Sequence, residues 1–127
     1  MQSIVGTWKL LHATARGAAR PLPYGGKALG RLTLTADGRM MSVVCDGRKE
    51  LPAGVRREYS SYCGNYIYDG ERLVTRVDAA SDPTRIGSDQ VRGVRFVGER
   101  MVLVPPPRQT GEGEEHREIT WERIAAE

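Results

Sequence analysis

Short turn signals divide this chain of 127 residues at close intervals. Asp37-Gly38, Asp46-Gly47, Asp69-Gly70 and Gly98-Glu99 each separate segments rich in Val, Leu, Thr, Tyr or Phe. Asp-Gly between such segments favours a tight hairpin, because both central residues of a type I′ turn need a positive φ. Reading outward from the turns predicts eight antiparallel strands, at residues 4–14, 29–36, 39–45, 58–68, 71–79, 90–97, 100–105 and 114–124. Eight strands are enough to close a barrel that holds side chains or one small ligand.

Four segments interrupt this pattern. Residues 15–28 and 80–89 are expected to be loops, and residues 46–57 have room for one short helical turn, since Pro52 and Gly54 oppose a longer helix. Residues 105–113 begin with three prolines, which lack the N–H that a strand ladder requires. We expect this last segment to be a connection that does not continue the sheet.

The two ends of the chain indicate how the sheet closes. Gly6-Thr7-Trp8 lies in the first predicted strand, and Trp121-Glu122-Arg123 ends the last. A closed sheet would pair these strands and place the Arg123 guanidinium over the indole face of Trp8, a favourable cation–π arrangement. We therefore predict an all-β fold, an eight-stranded antiparallel up-and-down barrel. Gly6, Trp8 and Arg123 are the predicted closure residues, with Trp8 buried.

Composition favours one soluble domain spanning residues 1–127 and excludes several kinds of partner. The net charge is +3, and the basic residues are spread singly instead of clustering with aromatic residues, so no nucleic-acid partner is expected. No apolar segment approaches the length of a membrane span, and no export signal is recognisable, so we expect a cytoplasmic protein without a membrane partner. Cys45 and Cys63 are expected to be free thiols, although a disulfide between them stays open. The sequence leaves the oligomeric state undetermined.

Alternation assigns candidate cavity residues, because side chains repeat every two positions along a strand. If Trp8 faces inward, so does His12, and the same period places Arg92 with Phe96. The ligand-binding candidates are His12, Leu34, Tyr66, Arg92, Phe96 and Trp121. For His12 the alternative is a hydrogen-bonded core residue, and for Arg92 it is an ion pair with Asp78 or Asp89 at the rim of the barrel.

Catalytic and metal chemistry have little support in the sequence. The two cysteines and two histidines are scattered without ligand spacing, so no metal site and no cofactor are predicted. Neither cysteine belongs to a nucleophile signature, and we assign no catalytic residue. The enzymatic alternative is an isomerase or cyclase that acts on a biosynthetic intermediate. It would use His12 or Tyr66 as acid or base and Arg92 as anion stabiliser.

Three segments together with the two ends carry a family resemblance. The paired ends are similar to those of the lipocalin and fatty-acid-binding-protein superfamily. Residues 30–40 (GRLTLTADGRM), 59–66 (YSSYCGNY) and 87–92 (GSDQVR) resemble the bacterial and fungal lipocalin-like domain family. The resemblance implies a lipocalin-type barrel with a hydrophobic pocket and supplies no catalytic signature. We expect a protein that binds a small hydrophobic or aromatic metabolite inside the barrel, in a cavity of a few hundred cubic ångströms.

Overall fold

The structure is a computed structural model that describes residues 2–17, 23–111 and 113–126. Its described residues form nine β-strands and two short 3-10 helices, Pro23–Gly26 and Pro83–Arg85. No helix among them is long and apolar enough to cross a membrane. The strands are β1 (Gly6–Arg16), β2 (Ala28–Leu34), β3 (Arg39–Asp46), β4 (Tyr59–Tyr68), β5 (Arg72–Ala80), β6 (Asp89–Val97), β7 (Arg100–Val104), β8 (Arg108–Thr110) and β9 (Gly113–Ala125).

The sheet closes into an eight-stranded antiparallel barrel. Each of the strands β1 to β6 pairs with the strand that follows it, β7 pairs with β9, and β9 pairs back with β1. The long β1–β9 ladder runs from Thr7 opposite Ala125 to Arg16 opposite His116. Closure removes the two free edges that an open sheet would expose. The predicted all-β barrel is confirmed.

The prediction for residues 105–113 is wrong in part. After the three prolines the chain re-enters the sheet as β8, which pairs with the first residues of β9 from Arg108 opposite Glu115 to Thr110 opposite Gly113. The prolines interrupt the ladder without ending it, because the backbone N–H groups return at Arg108. Residues 46–57 hold a tight turn closed by a hydrogen bond from Val55 N to Pro52 O, at 3.1 Å. Part of the predicted loop 15–28 lies outside the described residues.

Trp8 and Arg123 lie against each other at the barrel seam. Trp8 is fully buried, and its indole N–H donates to the carbonyl of Ile4 at 3.0 Å. The Arg123 Cζ atom lies 4.3 Å from the centre of the Trp8 ring, and its Nη2 donates to the carbonyl of Ser3 at 2.6 Å. Arg123 therefore covers the indole and also holds the N-terminal segment.

Gly6 makes this arrangement possible. Its φ is +140°, and a Cβ atom added there would lie 2.6 Å from the Ala125 carbonyl oxygen and 3.1 Å from Arg123 Nε. Only glycine has no Cβ to meet these atoms, so the first strand can approach the last closely at this point. The predicted closure residues thus lie together at the seam.

His12 does not point into the barrel, and the prediction that it does is wrong. The β1–β9 register shifts between Leu10 and His12, so that Leu10 lies opposite Trp121 and His12 lies opposite the next residue, Thr120. This β-bulge inserts one residue into β1 and reverses the inward and outward positions beyond it. Leu10 is buried, whereas His12 is exposed.

Strand β3 has apolar residues at both alternating positions, and their burial shows which face is directed into the barrel. On β3, Met40, Ser42 and Val44 are buried, and Met41 and Val43 are exposed on the outer surface. The interior is filled mainly by large apolar side chains, whose buried members cluster around Trp8, Leu34 and Met101.

Candidate ligand-binding site

The two ends of the barrel differ in their connections. Short turns join β2 to β3, β4 to β5 and β6 to β7 on the side of the Trp8 seam, which we call the closed end. Longer connections join β1 to β2, β3 to β4 and β5 to β6 on the opposite side, which we call the open end. Consecutive strands run in opposite directions, so the connections alternate between the ends and the three longer segments meet at the open end.

A cavity of about 140 Å³ lies inside the barrel and extends to the open end. This volume is smaller than the few hundred cubic ångströms expected from the sequence. A cavity of about 150 Å³ holds one benzene molecule, so the space suits a single ring or a chain of similar size. Its lining residues are Tyr24, Leu32, Met40, Ser42, Val44, Ser60, Tyr62, Arg85, Arg92, Leu103, Pro105, Arg108, Arg117, Ile119 and Trp121.

Trp121 forms part of the apolar wall of the cavity. Its side chain is 2% exposed, and the strand ladders place it between Leu10 on β1 and Met101 on β7. Its buried indole N–H has no hydrogen-bond acceptor among the described residues. A buried donor without an acceptor is unfavourable by about 1–3 kcal/mol.

Tyr24 contributes to the cavity from the 3-10 helix Pro23–Gly26, at the open end. Its backbone adopts a left-handed conformation with φ 54° and ψ 38°, and its backbone N–H donates to Glu58 Oε1 at 2.8 Å. Burial, followed by the nearby Glu58 carboxylate, raises the pKa of the Tyr24 phenol. The charges of Arg117, Arg85 and Arg92 act in the opposite direction on this pKa. The phenol is therefore held neutral close to several cations.

Arg92 is the one predicted cavity cation, and the structure places it on the cavity wall. It donates to the carbonyl of Val91 at 2.8 Å and to Gln90 Oε1 at 3.3 Å, both uncharged acceptors. The predicted alternative, an ion pair with Asp78 or Asp89, is wrong, since the Arg92 guanidinium uses these neutral acceptors and the two carboxylates pair with other arginines. Arg39 pairs with Asp78, and Arg76 pairs with Asp89.

Of the other candidates, Trp121 also lines the cavity and three lie elsewhere in the fold. Leu34 is completely buried, and Phe96 packs partly buried against the core, each next to a short turn at the closed end. The hydroxyl of Tyr66, the third of these residues, donates to the carbonyl of Thr35 at 2.6 Å. Tyr66 lines a surface groove with residues of the N-terminal segment and the β2–β3 turn.

Sequence reasoning missed the cavity residues that come from connections and from the ends of strands. Arg85 lies in the polar loop between β5 and β6, and Tyr24 lies in the proline- and glycine-rich loop after β1. Neither segment has an alternating pattern that would assign a side chain to the interior. Arg117, in contrast, shares the alternation of Ile119 and Trp121, so the pattern itself could have identified it.

Cys45 and Cys63 are both free and lie far apart. In the β3–β4 ladder Cys45 lies opposite Tyr59, four residues along β4 from Cys63. At about 3.3 Å per residue the separation exceeds the span of a disulfide. Burial and the neighbouring Asp78 raise the pKa of the Cys63 thiol, which makes it a poor nucleophile. The described residues contain no cluster of His, Cys, Asp or Glu suited to a metal ion.

A closed eight-stranded antiparallel barrel with a small cavity opening at one end is the architecture of a lipocalin-type barrel. Comparison with protein families agrees with this class, since the model of the lipocalin-like domain matches residues 5–124. The chain belongs to the lipocalin-like domain family. No curated protein and no solved structure matches it.

Proposed function

We propose that this protein binds a small apolar or aromatic molecule, about the size of one ring, inside the barrel. The observation that carries the proposal is the cavity of about 140 Å³, bounded on one side by Trp121, Leu103 and Ile119. Ligand sites typically combine such apolar walls with a few polar groups that orient the ligand. Tyr62 and Ser42 supply polar groups here.

We do not extend the proposal to an isomerase or cyclase. That hypothesis requires an acid or base in the cavity, and the two side chains assigned to this role lie elsewhere. His12 is exposed beyond the β1 bulge, and the Tyr66 hydroxyl is engaged with Thr35. The cytoplasmic location and the expected lack of nucleic-acid and membrane partners remain predictions from the sequence.

The two tryptophans provide a direct test, because each gives one indole signal in a proton–nitrogen NMR spectrum. Ring-sized probes (benzene derivatives bearing acid, amide, alcohol or alkyl groups) should shift the Trp121 indole signal in a saturable manner. The Trp8 signal should stay in place, since its N–H is bonded to Ile4 at the closed end. The variant Trp121→Phe assigns the two signals.

A water-soluble four-ring aromatic sulfonate serves as a size control and should leave both signals unchanged. If no ring-sized probe shifts the Trp121 signal at millimolar concentration, the proposed function is wrong. Equal shifts of both indoles would indicate binding outside the cavity and would also contradict it.

A further inference from the structure

Four guanidinium groups line the cavity, and they come from separate parts of the chain. Arg85 lies in the β5–β6 connection, Arg92 on β6, Arg108 on β8 and Arg117 on β9. The strand ladders bring two of them to the same height in the barrel. Val94 on β6 lies opposite Leu103 on β7, and Leu103 lies opposite Ile119 on β9. Arg92 comes two residues before Val94, and Arg117 comes two residues before Ile119, so both arginines lie inward and nearer the open end.

Two of the four cations have carboxylate partners. Glu115 is buried, and its Oε1 lies 2.8 Å from Arg117 Nε and 3.9 Å from Arg108 Nε. Glu58 Oε2 lies 4.0 Å from Arg117 Nη1. Two carboxylates therefore balance Arg108 and Arg117 on one side of the cavity.

Arg85 and Arg92 have no carboxylate within 4.0 Å among the described residues. Arg92 contacts only the neutral acceptors on Val91 and Gln90, and Arg85 donates to the Ser60 hydroxyl at 3.4 Å. The Arg85 guanidinium also lies 5.7 Å from the centre of the Tyr62 ring. The nearby Asp82 carboxylate accepts hydrogen bonds from Thr84 instead, although the Arg85 charge contributes to lowering its pKa.

A partly buried charge without a counter-charge is unfavourable, and an anion in the cavity would relieve it. The guanidinium group suits this role, because its planar set of donors matches the oxygens of a carboxylate or phosphate. Trp121, on the same cavity wall, contributes an apolar surface. Two guanidinium groups and an apolar wall thus line a space of single-ring size.

We propose that the cavity ligand is a compact organic anion whose acidic group binds Arg92 and Arg85 and whose apolar part packs against Trp121. This inference rests on the proposed function and specifies its ligand class. The shared chemistry is a carboxylate or phosphate attached to a group about as large as one ring.

Three probes of matched size test the charge requirement: benzoate, its neutral relative benzamide, and phenyl phosphate. Calorimetric or NMR titration should show benzoate or phenyl phosphate binding at least tenfold more tightly than benzamide, because hydrogen bonds to charged groups are the stronger class. The preferred anion of the two identifies the acidic group. Its affinity should fall as the salt concentration rises.

Variants of two arginines on the same strand locate the acidic group. Arg92→Gln should weaken binding of the preferred anion about tenfold or more and weaken benzamide binding much less, because the amide carries no charge. Benzamide binding that persists in the variant shows that the cavity is intact. Arg95→Gln is the matched control, since Arg95 is exposed and pairs with Glu118 on the outer surface. It should leave both affinities unchanged.

The outcomes separate this proposal from the one on which it rests. If benzamide shifts the Trp121 indole and binds as tightly as both anions, the anion proposal is wrong and the proposed function stands. An equal loss of anion affinity in the Arg92→Gln and Arg95→Gln variants would also overturn it. If neither anion binds while a neutral ring-sized probe shifts the Trp121 indole, the anion proposal alone is wrong; if no ring-sized probe of any kind binds, both proposals are wrong.

Discussion

The contact between Arg123 and Trp8 should stabilise the fold measurably, although Arg123 itself is exposed. The guanidinium lies 4.3 Å from the indole centre, and Nη2 donates to Ser3 O at 2.6 Å. A cation–π contact contributes about 0.5–2 kcal/mol and a typical hydrogen bond about 0.5–1.5 kcal/mol. Because solvent weakens both contacts, we expect Arg123→Met, which keeps the apolar stem, to lower the free energy of unfolding by about 1–2 kcal/mol.

Urea denaturation followed by tryptophan fluorescence measures this loss. With a dependence on urea of about 2 kcal/mol per molar, the midpoint should fall by about 0.5–1 M. Arg123→Lys should lie between the wild type and Arg123→Met, because an ammonium keeps the charge but lacks the planar donor set. Arg100→Met is the matched control, an exposed arginine at the closed end with the same change in net charge. If Arg123→Met costs no more than Arg100→Met, the guanidinium does not stabilise the seam.

Two further predictions concern a glycine and a buried carboxylate. Gly64→Ala should prevent folding into the native barrel, because the added Cβ would lie 1.9 Å from the Arg76 carbonyl oxygen. Gly111→Ala is the control, since a Cβ added there has no atom within 4 Å. The control should leave the circular dichroism spectrum and the melting temperature unchanged. Asp46 is 1% exposed, and its hydrogen bonds from Arg48 lower its pKa. A lowered folded-state pKa gives stability that is present above the unfolded value of about 3.9 and lost as the pH falls through the folded value. The wild type should therefore be more stable than Asp46→Asn at neutral pH. Thermal melts should show this difference in stability shrinking below about pH 4. A difference that does not depend on pH would contradict the ion-pair explanation.

The strands and their closure could be predicted because each depended on a local or strictly periodic signal. Asp37-Gly38 and Asp69-Gly70 mark tight turns through their backbone requirements, and the segments between the turns alternate with period two. The pairing of Trp8 with Arg123 is a long-range contact, yet the barrel architecture leaves few places where the first and last strands can meet. These predictions needed only the order of the strands and their inward faces.

The cavity residues were harder to predict because irregularities in the backbone decide them. One inserted residue between Leu10 and His12 turns His12 outward, and the sequence there carries no turn signal that would indicate a bulge. Tyr24 reaches the interior through a left-handed backbone conformation in a loop, which strand alternation cannot describe. Tyr66 lies in the strand predicted for it, but its hydroxyl donates to the backbone carbonyl of Thr35 next to the β2–β3 turn.

The inward residues of two strands nevertheless change in the same way along the barrel, from charged near the open end to aromatic near the closed end. This change explains why the arginines of the cavity lie near the open end. Both β6 and β9 run from the open end to the closed end and flank β7. The inward residues along β6 include Arg92, Val94 and Phe96, and those along β9 include Arg117, Ile119 and Trp121. In each series an arginine is followed by an aliphatic residue and then by an aromatic ring, so the ladders bring like residues to like levels of the barrel. The large rings fill the interior toward the seam, where burial supplies stability, and the arginines lie near the solvent-facing end, where a charge is less costly to hold. The same alternation that builds the core therefore also places two guanidinium groups at one level of the cavity, and the loop that carries Arg85 adds a third.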